Sequence, residues 1–496
     1  MLGGDIDLKG GFLSVASGGT VELGSVNDTG EIGISENSNL IFSNELARGD
    51  ISLFGTDVLV SGFEESSINV YSQNLNLTEG AQIKAGINQI DEFDTVGGNI
   101  IIDALGTVSL DDSIINNGIN VLEIIFSSDG IIDNSIDDNA EGNTGKIEVS
   151  ARSVVLQNGG LIIADTMGIG NAGDIEINAT ESVIVDGESS DGFSSRISSD
   201  VFSQAEGNGG KITITTPSLK ITNDAGISVR TFGNGDGGEI KINADFVLLE
   251  DSAISTISRS AGNAGNIELR DFNTLMLENS SIASNSSESS GGEITIVGED
   301  TRLRGDSDII TNVENGVGGG GDITITADSV IAFDDSDIFA FAGDGTGGNI
   351  TLNTPVFFGE NFTSNSLISN PDFLDNNSRV DLNATGVVSS GAVSIPDVSF
   401  IQNSLSELPD NSLNTDELLA NSCVVPAGDG ERGRFVITGG ESLPVRPGDN
   451  LPSKYPTTEV RNLPDNNSWQ SGDRIVEPQA AYRLTNGKLV LSRECQ

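Results

Sequence analysis

The chain has 496 residues, 24 basic against 74 acidic side chains, a formal charge of −50, and no histidine. The missing histidine removes Ser-His-Asp and Cys-His nucleophilic sites, histidine general bases and most zinc or non-haem iron centres. So large an acidic excess repels nucleic acid and anionic lipid, and neither is expected as a partner.

The first element is a phrase that then recurs along the chain: Gly3-Gly4-Asp5-Ile6-Asp7-Leu8, a glycine pair leading into alternating apolar residues. The second glycine falls at Gly4, Gly49, Gly98, Gly145, Gly173, Gly210, Gly238, Gly265, Gly292, Gly321 and Gly348. Subtracting neighbours gives steps of 45, 49, 47, 28, 37, 28, 27, 27, 29 and 27. A fixed period of this size, with one strand opening at the same glycine each time, is a solenoid signature. The first three steps read as two coils with one degenerate copy, and Gly30-Glu31-Ile32-Gly33-Ile34 is read as a hidden copy.

In the regular middle, Gly238 opens Ile240, Ile242 and Ala244 on one face, with Glu239, Lys241, Asn243 and Asp245 on the other, the period of a half-buried strand. The glycine is expected to permit a sharp corner there. A second strand follows at Phe246–Glu250 and a third at Asp251–Ile257, before Gly262-Asn263-Ala264-Gly265 restarts the cycle. Small residues recur after the second aliphatic position, as Ala104, Ala151, Ala179, Ala244 and Ala327. Glu188–Gln204 is expected to form a side loop, and Gly391-Ala392-Val393 is a late copy. The expected fold class is all-β, a right-handed parallel β-helix solenoid with three strands per coil of roughly 27 residues. It spans residues 1–400, in roughly 14 coils and about 65 Å of rod at about 4.8 Å per layer.

Composition changes after Pro396. Residues 401–422 read as a connector whose Thr415–Ala420 segment forms a short helix. Residues 423–496 read as a small C-terminal module that caps the solenoid end, with strands at Arg434–Thr438 and Lys488–Leu491. Nine basic and nine acidic residues balance from Asn421 onward, so the whole acidic excess lies before it. The only cysteines, Cys423 and Cys495, both lie in this module. They predict a disulfide that closes it and an oxidising, extracytoplasmic compartment, the alternative being two unpaired thiols. Apolar runs are too short to span a bilayer, so no membrane span is expected.

These residues resemble the cyanobacterial filamentous-haemagglutinin-like proteins exported by two-partner secretion. The resemblance rests on Gly170-Asn171-Ala172-Gly173-Asp174-Ile175, on Gly262-Asn263-Ala264-Gly265-Asn266-Ile267, and above all on the tail. There the matching stretches are Leu419-Ala420-Asn421-Ser422-Cys423, Arg434–Gly440, Leu443-Pro444, Ile475–Gln479 and Asn486–Leu491. Residues 1–30 look like the remnant that closes the secretion domain, so the signal peptide and most of that domain are expected to be missing. The resemblance implies an outer-membrane two-partner secretion transporter as export partner.

The expected function is a secreted or cell-surface adhesin or structural filament, outer-membrane associated, showing an acidic surface to other cells, matrix or surface polysaccharide. No catalytic, cofactor or metal residue is assigned, and no enzyme activity is expected. Three alternatives stand beside it. One is a non-functional truncated gene product. Another is a β-helical lyase or hydrolase using Asp111-Asp112, Asp137-Asp138 or Asp334-Asp335 with Asp337, which clustering roughly 5–9.5 Å apart would support. Asp is, however, favoured at such turns for its turn chemistry alone. The third is a calcium-repeat protein using Gly233–Gly238 and Gly343–Asn349, although the tandem nine-residue copies it needs are absent. Without such sites only weak, non-specific divalent cation binding is expected.

Overall fold

A computed structural model describes residues 1–396 except 16–17, 36–38, 44, 61–65, 87–96, 119–141, 204, 316–317 and 363–373, and also 480–483 and 489–492. The chain divides into two compact units, Met1–Val398 and Ser399–Gln496. Of the second unit only a two-stranded antiparallel pair is described, Ala480–Arg483 with Leu489–Ser492. The expected connector helix at Thr415–Ala420, the strand at Arg434–Thr438 and both cysteines lie outside the described residues.

The first unit is a parallel β-helix, all-β and without a helix among the described residues. Each coil turns through three faces. The first two faces merge into one 19-stranded sheet, and the third is a 12-stranded sheet with one strand from every coil. Along the regular middle the first two strands are one continuous ribbon, such as Ile175–Asp186, Lys211–Thr222 and Glu239–Glu250, each bent at its centre. A register shift at the bend, as between Ala151 and Ser153, marks where the ribbon turns from one face to the next. The recurring small residue sits at that bend because the turn leaves little room inside.

The alternating pattern stacks like on like. Ile147, Ile175, Ile212, Ile240, Ile267, Ile294, Ile323 and Ile350 pair in strict register from coil to coil, none more than 1% exposed. A third-face column of Ile162, Ile197, Ile227, Ile254, Ile282, Ile309 and Ile338 meets it across the core. Each fully buried aliphatic side chain contributes about 1.5–3 kcal/mol, which makes these columns the main stabilising force. One coil departs from the small-residue rule: Phe272 fills the bend, and the next coil answers with Gly298, where a Cβ would overlap the Phe272 ring.

The corner between the second and third faces explains much of the Asn and Asp content. Asp112, Asn158, Asn223, Asp251, Asn279, Asp306 and Asp334 take left-handed backbone conformations there, φ 47° to 63°. Asn and Asp tolerate this region because their short side chains bond locally. Just inside, a buried serine follows in successive coils. Ser252 N–H donates to Ser280 Oγ (3.1 Å), Ser280 N–H to Ser307 Oγ (3.1 Å), and Ser307 N–H to Ser336 Oγ (3.0 Å).

Of the three long steps, that from Gly49 to Gly98 does enclose a further coil, with strands Ser67–Ser72, Leu75–Thr78 and Gln82–Lys84, whereas the other two differ from their reading as doubled coils. Ile100 pairs directly with Ile147, so the step from Gly98 to Gly145 is one coil carrying extra residues. Gly33–Ile34 pairs antiparallel with Leu40–Ile41 outside the solenoid sheets, so Gly30 begins no coil. Gly4 and Gly49 open strands of the second face, Ile6 pairing with Ile51, whereas Gly98 opens one of the first. Among the described residues the array therefore has 12 layers on its third face, against the roughly 14 expected, about 53 Å at about 4.8 Å spacing. The predicted side loop is shorter than Glu188–Gln204, because Arg196–Ser198 is already a third-face strand. The late copy at Gly391 does open a strand, with Val393 pairing to Ile350.

Candidate functional site

The glycine corner, where the third face returns to the first, carries the most extended surface feature. Its glycines are needed for close approach between layers more than for an unusual φ. A Cβ on Gly210 would overlap the Gly173 carbonyl oxygen, one on Gly238 that of Gly210, one on Gly265 that of Gly238, and one on Gly292 that of Gly265. Positive φ falls instead on a glycine earlier in the turn, as at Gly170 (149°), Gly207 (155°) and Gly235 (149°). Inward-facing hydroxyls tie the third face to this corner. Ser199 Oγ donates to the Gly173 carbonyl (2.7 Å), Thr256 Oγ1 and Ser284 Oγ to that of Gly265 (both 2.7 Å), and Thr311 Oγ1 to that of Gly321 (2.6 Å).

With no side chain at the bend, the corner sinks into a polar groove of about 1200 Å³ that runs from Asn99 to Gly292. One rim is an exposed column of Asn143, Asn171, Asn208, Asp236 and Asn263. Each side-chain oxygen accepts the backbone N–H of the next: Asn143 from Asn171 (2.9 Å), Asn171 from Asn208 (2.8 Å), Asn208 from Asp236 (2.9 Å), Asp236 from Asn263 (2.8 Å). In a second column Asn99 accepts likewise from Lys146, Asp174 from Lys211 and Asn266 from Glu293, at 2.8–2.9 Å. Lysines on the groove are paired along the rod: Lys146 Nζ lies 2.6 Å from Glu176 and Lys211 Nζ 2.7 Å from Glu239. The hydrogen bond to Glu176 raises the Lys146 pKa and correspondingly lowers that of Glu176. The groove can thus offer carboxamide donors and fixed charges at each layer to a hydroxyl-rich chain.

The carboxylates singled out in the sequence take different places. Asp111 accepts from Gln157 Nε2 and Asn158 Nδ2 (2.9 Å each), and Asp112 is a left-handed turn residue, its pKa raised by burial and by Asp111 and Asp191. Asp137 and Asp138 lie outside the described residues. Asp335 comes together with Asp306 and Asp375, their nearest oxygens all within 4.8 Å of one another. In the proposed calcium phrase Gly233–Gly238, Asp236 Oδ1 is already engaged by Asn263, through its backbone N–H and Nδ2.

Sequence reading missed a buried acidic pair. Asp165 and Asp200, both fully buried, stack on successive coils, Asp200 N–H donating to Asp165 Oδ1 (2.7 Å). Arg230 closes the stack, its Nε and a terminal nitrogen donating to Asp200 Oδ2 at 2.9 and 2.7 Å. Burial and the neighbouring Asp200 push the Asp165 pKa up to about 6, against the pull of Arg196. No composition or spacing signal marks the pair, because Asp at a corner is ordinary in this chain.

No family model, curated protein or solved structure matches this chain. Among the described residues no helix is long and apolar enough to cross a membrane.

Proposed function

We propose that this chain is a secreted or cell-surface β-helical rod that acts by display, as an adhesin or structural filament of the filamentous-haemagglutinin-like type. The observation that carries the reading is the groove of the glycine corner, where the same polar contact recurs four times and links five successive coils from Asn143 to Asn263. A repetitive ligand, such as a surface polysaccharide, suits a repetitive groove, since each added sugar meets the same donors one layer further on. Many weak contacts in line give useful avidity without one strong site. The export partner and the outer-membrane location follow from the resemblance and belong to the same proposal.

The test is retention of the full-length chain on immobilised bacterial surface polysaccharide, with soluble polysaccharide as competitor. Lys211 lies mid-groove with its side chain 42% exposed, so Lys211→Trp would obstruct the channel without entering the core. Binding is expected to weaken by roughly tenfold, about 1.4 kcal/mol. Retention of neither protein, or equal retention of both, would overturn the groove as the contact surface.

A further inference from the structure

On the rim of the glycine-corner groove, Asn143, Asn171 and Asn208 each spend the side-chain oxygen on the next layer's backbone N–H, at 2.8–2.9 Å. Only the oxygen of a carboxamide can accept, so this bond fixes which way each amide stands. Nδ2 of all three is left without a hydrogen-bond partner among the described residues, on an exposed rim. Three consecutive layers therefore each present one free donor, about 4.8 Å apart. The next layer breaks the row. Asp236 makes the same bond to the Asn263 N–H (2.8 Å), and Asn263 Nδ2 turns back onto it (3.2 Å), so neither adds a free donor.

This repeat discriminates between kinds of linear ligand. An extended peptide lying along the groove turns a carbonyl to the same side every two residues, about 6.8 Å, and falls out of register after one contact. A second copy shares the layer spacing, but a groove cannot fill a groove, and two chains of charge −50 repel. An extended pyranose polymer advances about one layer per sugar and offers ring and hydroxyl oxygens as acceptors on every unit. Charge narrows the class further. Asp174, Asp236 and Glu239 line the groove against Lys146 and Lys211, and both lysines are held, by Glu176 and Glu239. Neither lysine is left over for a uronate or sulfated sugar, and the acidic surface repels such chains. No aromatic side chain is among the described residues of the lining, so sugars are held by their edges and not by stacking.

On the reading of this groove as the contact surface, we propose that its ligand is an uncharged, extended pyranose chain lying along the solenoid axis, one sugar per layer. Nδ2 of Asn143, Asn171 and Asn208 donates to successive sugars. Each contact is weak, and affinity comes from their number in line.

Asp236 supplies the design of the test, because an aspartate already makes the layer-to-layer bond at this position. The double variant Asn171→Asp, Asn208→Asp therefore keeps the stacking and replaces two donors by carboxylates. Full-length native and variant chains are titrated calorimetrically with cellohexaose, xylohexaose and mannohexaose, and with the anionic hexagalacturonate, at about 0.15 M salt. The native chain is expected to bind at least one neutral hexasaccharide about tenfold tighter than hexagalacturonate, and the double variant to lose about tenfold for that sugar. Asp236→Asn, which adds a donor, should gain affinity, and it gives a second reading if the double variant folds poorly. Tighter binding of hexagalacturonate would overturn the uncharged class and leave the groove as the contact surface. Equal affinity of all three chains for the neutral sugar would overturn the donor row, with Lys211→Trp still deciding the groove itself. Binding of no sugar by the native chain would overturn both readings. A dimer in sedimentation that the double variant abolishes would assign the donors to a second copy and overturn the glycan.

Discussion

Asp165 shows how a single buried side chain couples this rod to pH. Its carboxyl is fully buried, accepts Ser198 Oγ and Asp200 N–H, and titrates near 6 when folded, against an ordinary 3.8. A folded pKa above the unfolded one means that the native state holds the proton more tightly. The stabilising contribution is then complete below about 3.8 and is lost as pH rises through about 6. Asp165→Asn keeps an oxygen for the Asp200 N–H but cannot ionise. Denaturant titrations at pH 4, 5, 6 and 7 should show the native chain losing stability across this window more steeply than the variant. Equal slopes would mean that Asp165 does not titrate there. Nothing in the sequence announces this residue. It resembles every other corner Asp until folding brings Asp200 over it, and three-dimensional proximity decides its chemistry.

At the level of the strand and its corner, the glycine pair was legible and its purpose was not. The phrase located every first-face strand from Gly98 onward, because alternation and a fixed period are local properties. The reason for glycine is not local: it lies in the carbonyl of the coil before. Gly238→Ala drives a Cβ into the Gly210 carbonyl, whereas at Gly319 the nearest atom is the Thr346 oxygen at 3.6 Å. Thermal and urea unfolding should show a loss of about 3 kcal/mol for Gly238→Ala and less than about 0.5 kcal/mol for Gly319→Ala. Similar losses would show that strain within the turn, and not contact between layers, selects glycine. The same non-local logic hid the first coils. Gly4 and Gly30 carry the right letters, yet Gly4 opens a second-face strand and Gly30 precedes a hairpin outside the sheets. Only pairing tells such copies apart. The Ser and Thr columns inside the third face were equally illegible, since their partners are glycine carbonyls of other segments.

Over the whole solenoid the fold was readable because each layer repeats the same decision, so many imperfect signals reinforce one another. The groove was not readable, because it is made of what the corner lacks. The extra residues between Val26 and Gly49, and between Asn117 and Gly142, blurred the count by lengthening the chain without adding layers. A solenoid contacts only its neighbours, so its stability is nearly a sum over layers and interfaces. Excising one whole period, Gly238 through Ala264, sets Gly265 onto Gly210, with Ile267 meeting Ile212. That variant should melt cooperatively near the parent, and small-angle scattering should find it about 4.8 Å shorter. Removing only Gly238 through Asp251 breaks the cycle mid-turn and should abolish the cooperative transition. A half-coil deletion that folds as well as the full one would refute the layer as the unit.

The stacked glycines also have a consequence for descent. Because neighbouring joints share the same backbone-on-backbone contact, unequal crossing-over between copies yields another seamless rod far more often than a wreck. The length of the solenoid then changes by whole steps, as an integer that recombination can edit without new side-chain chemistry.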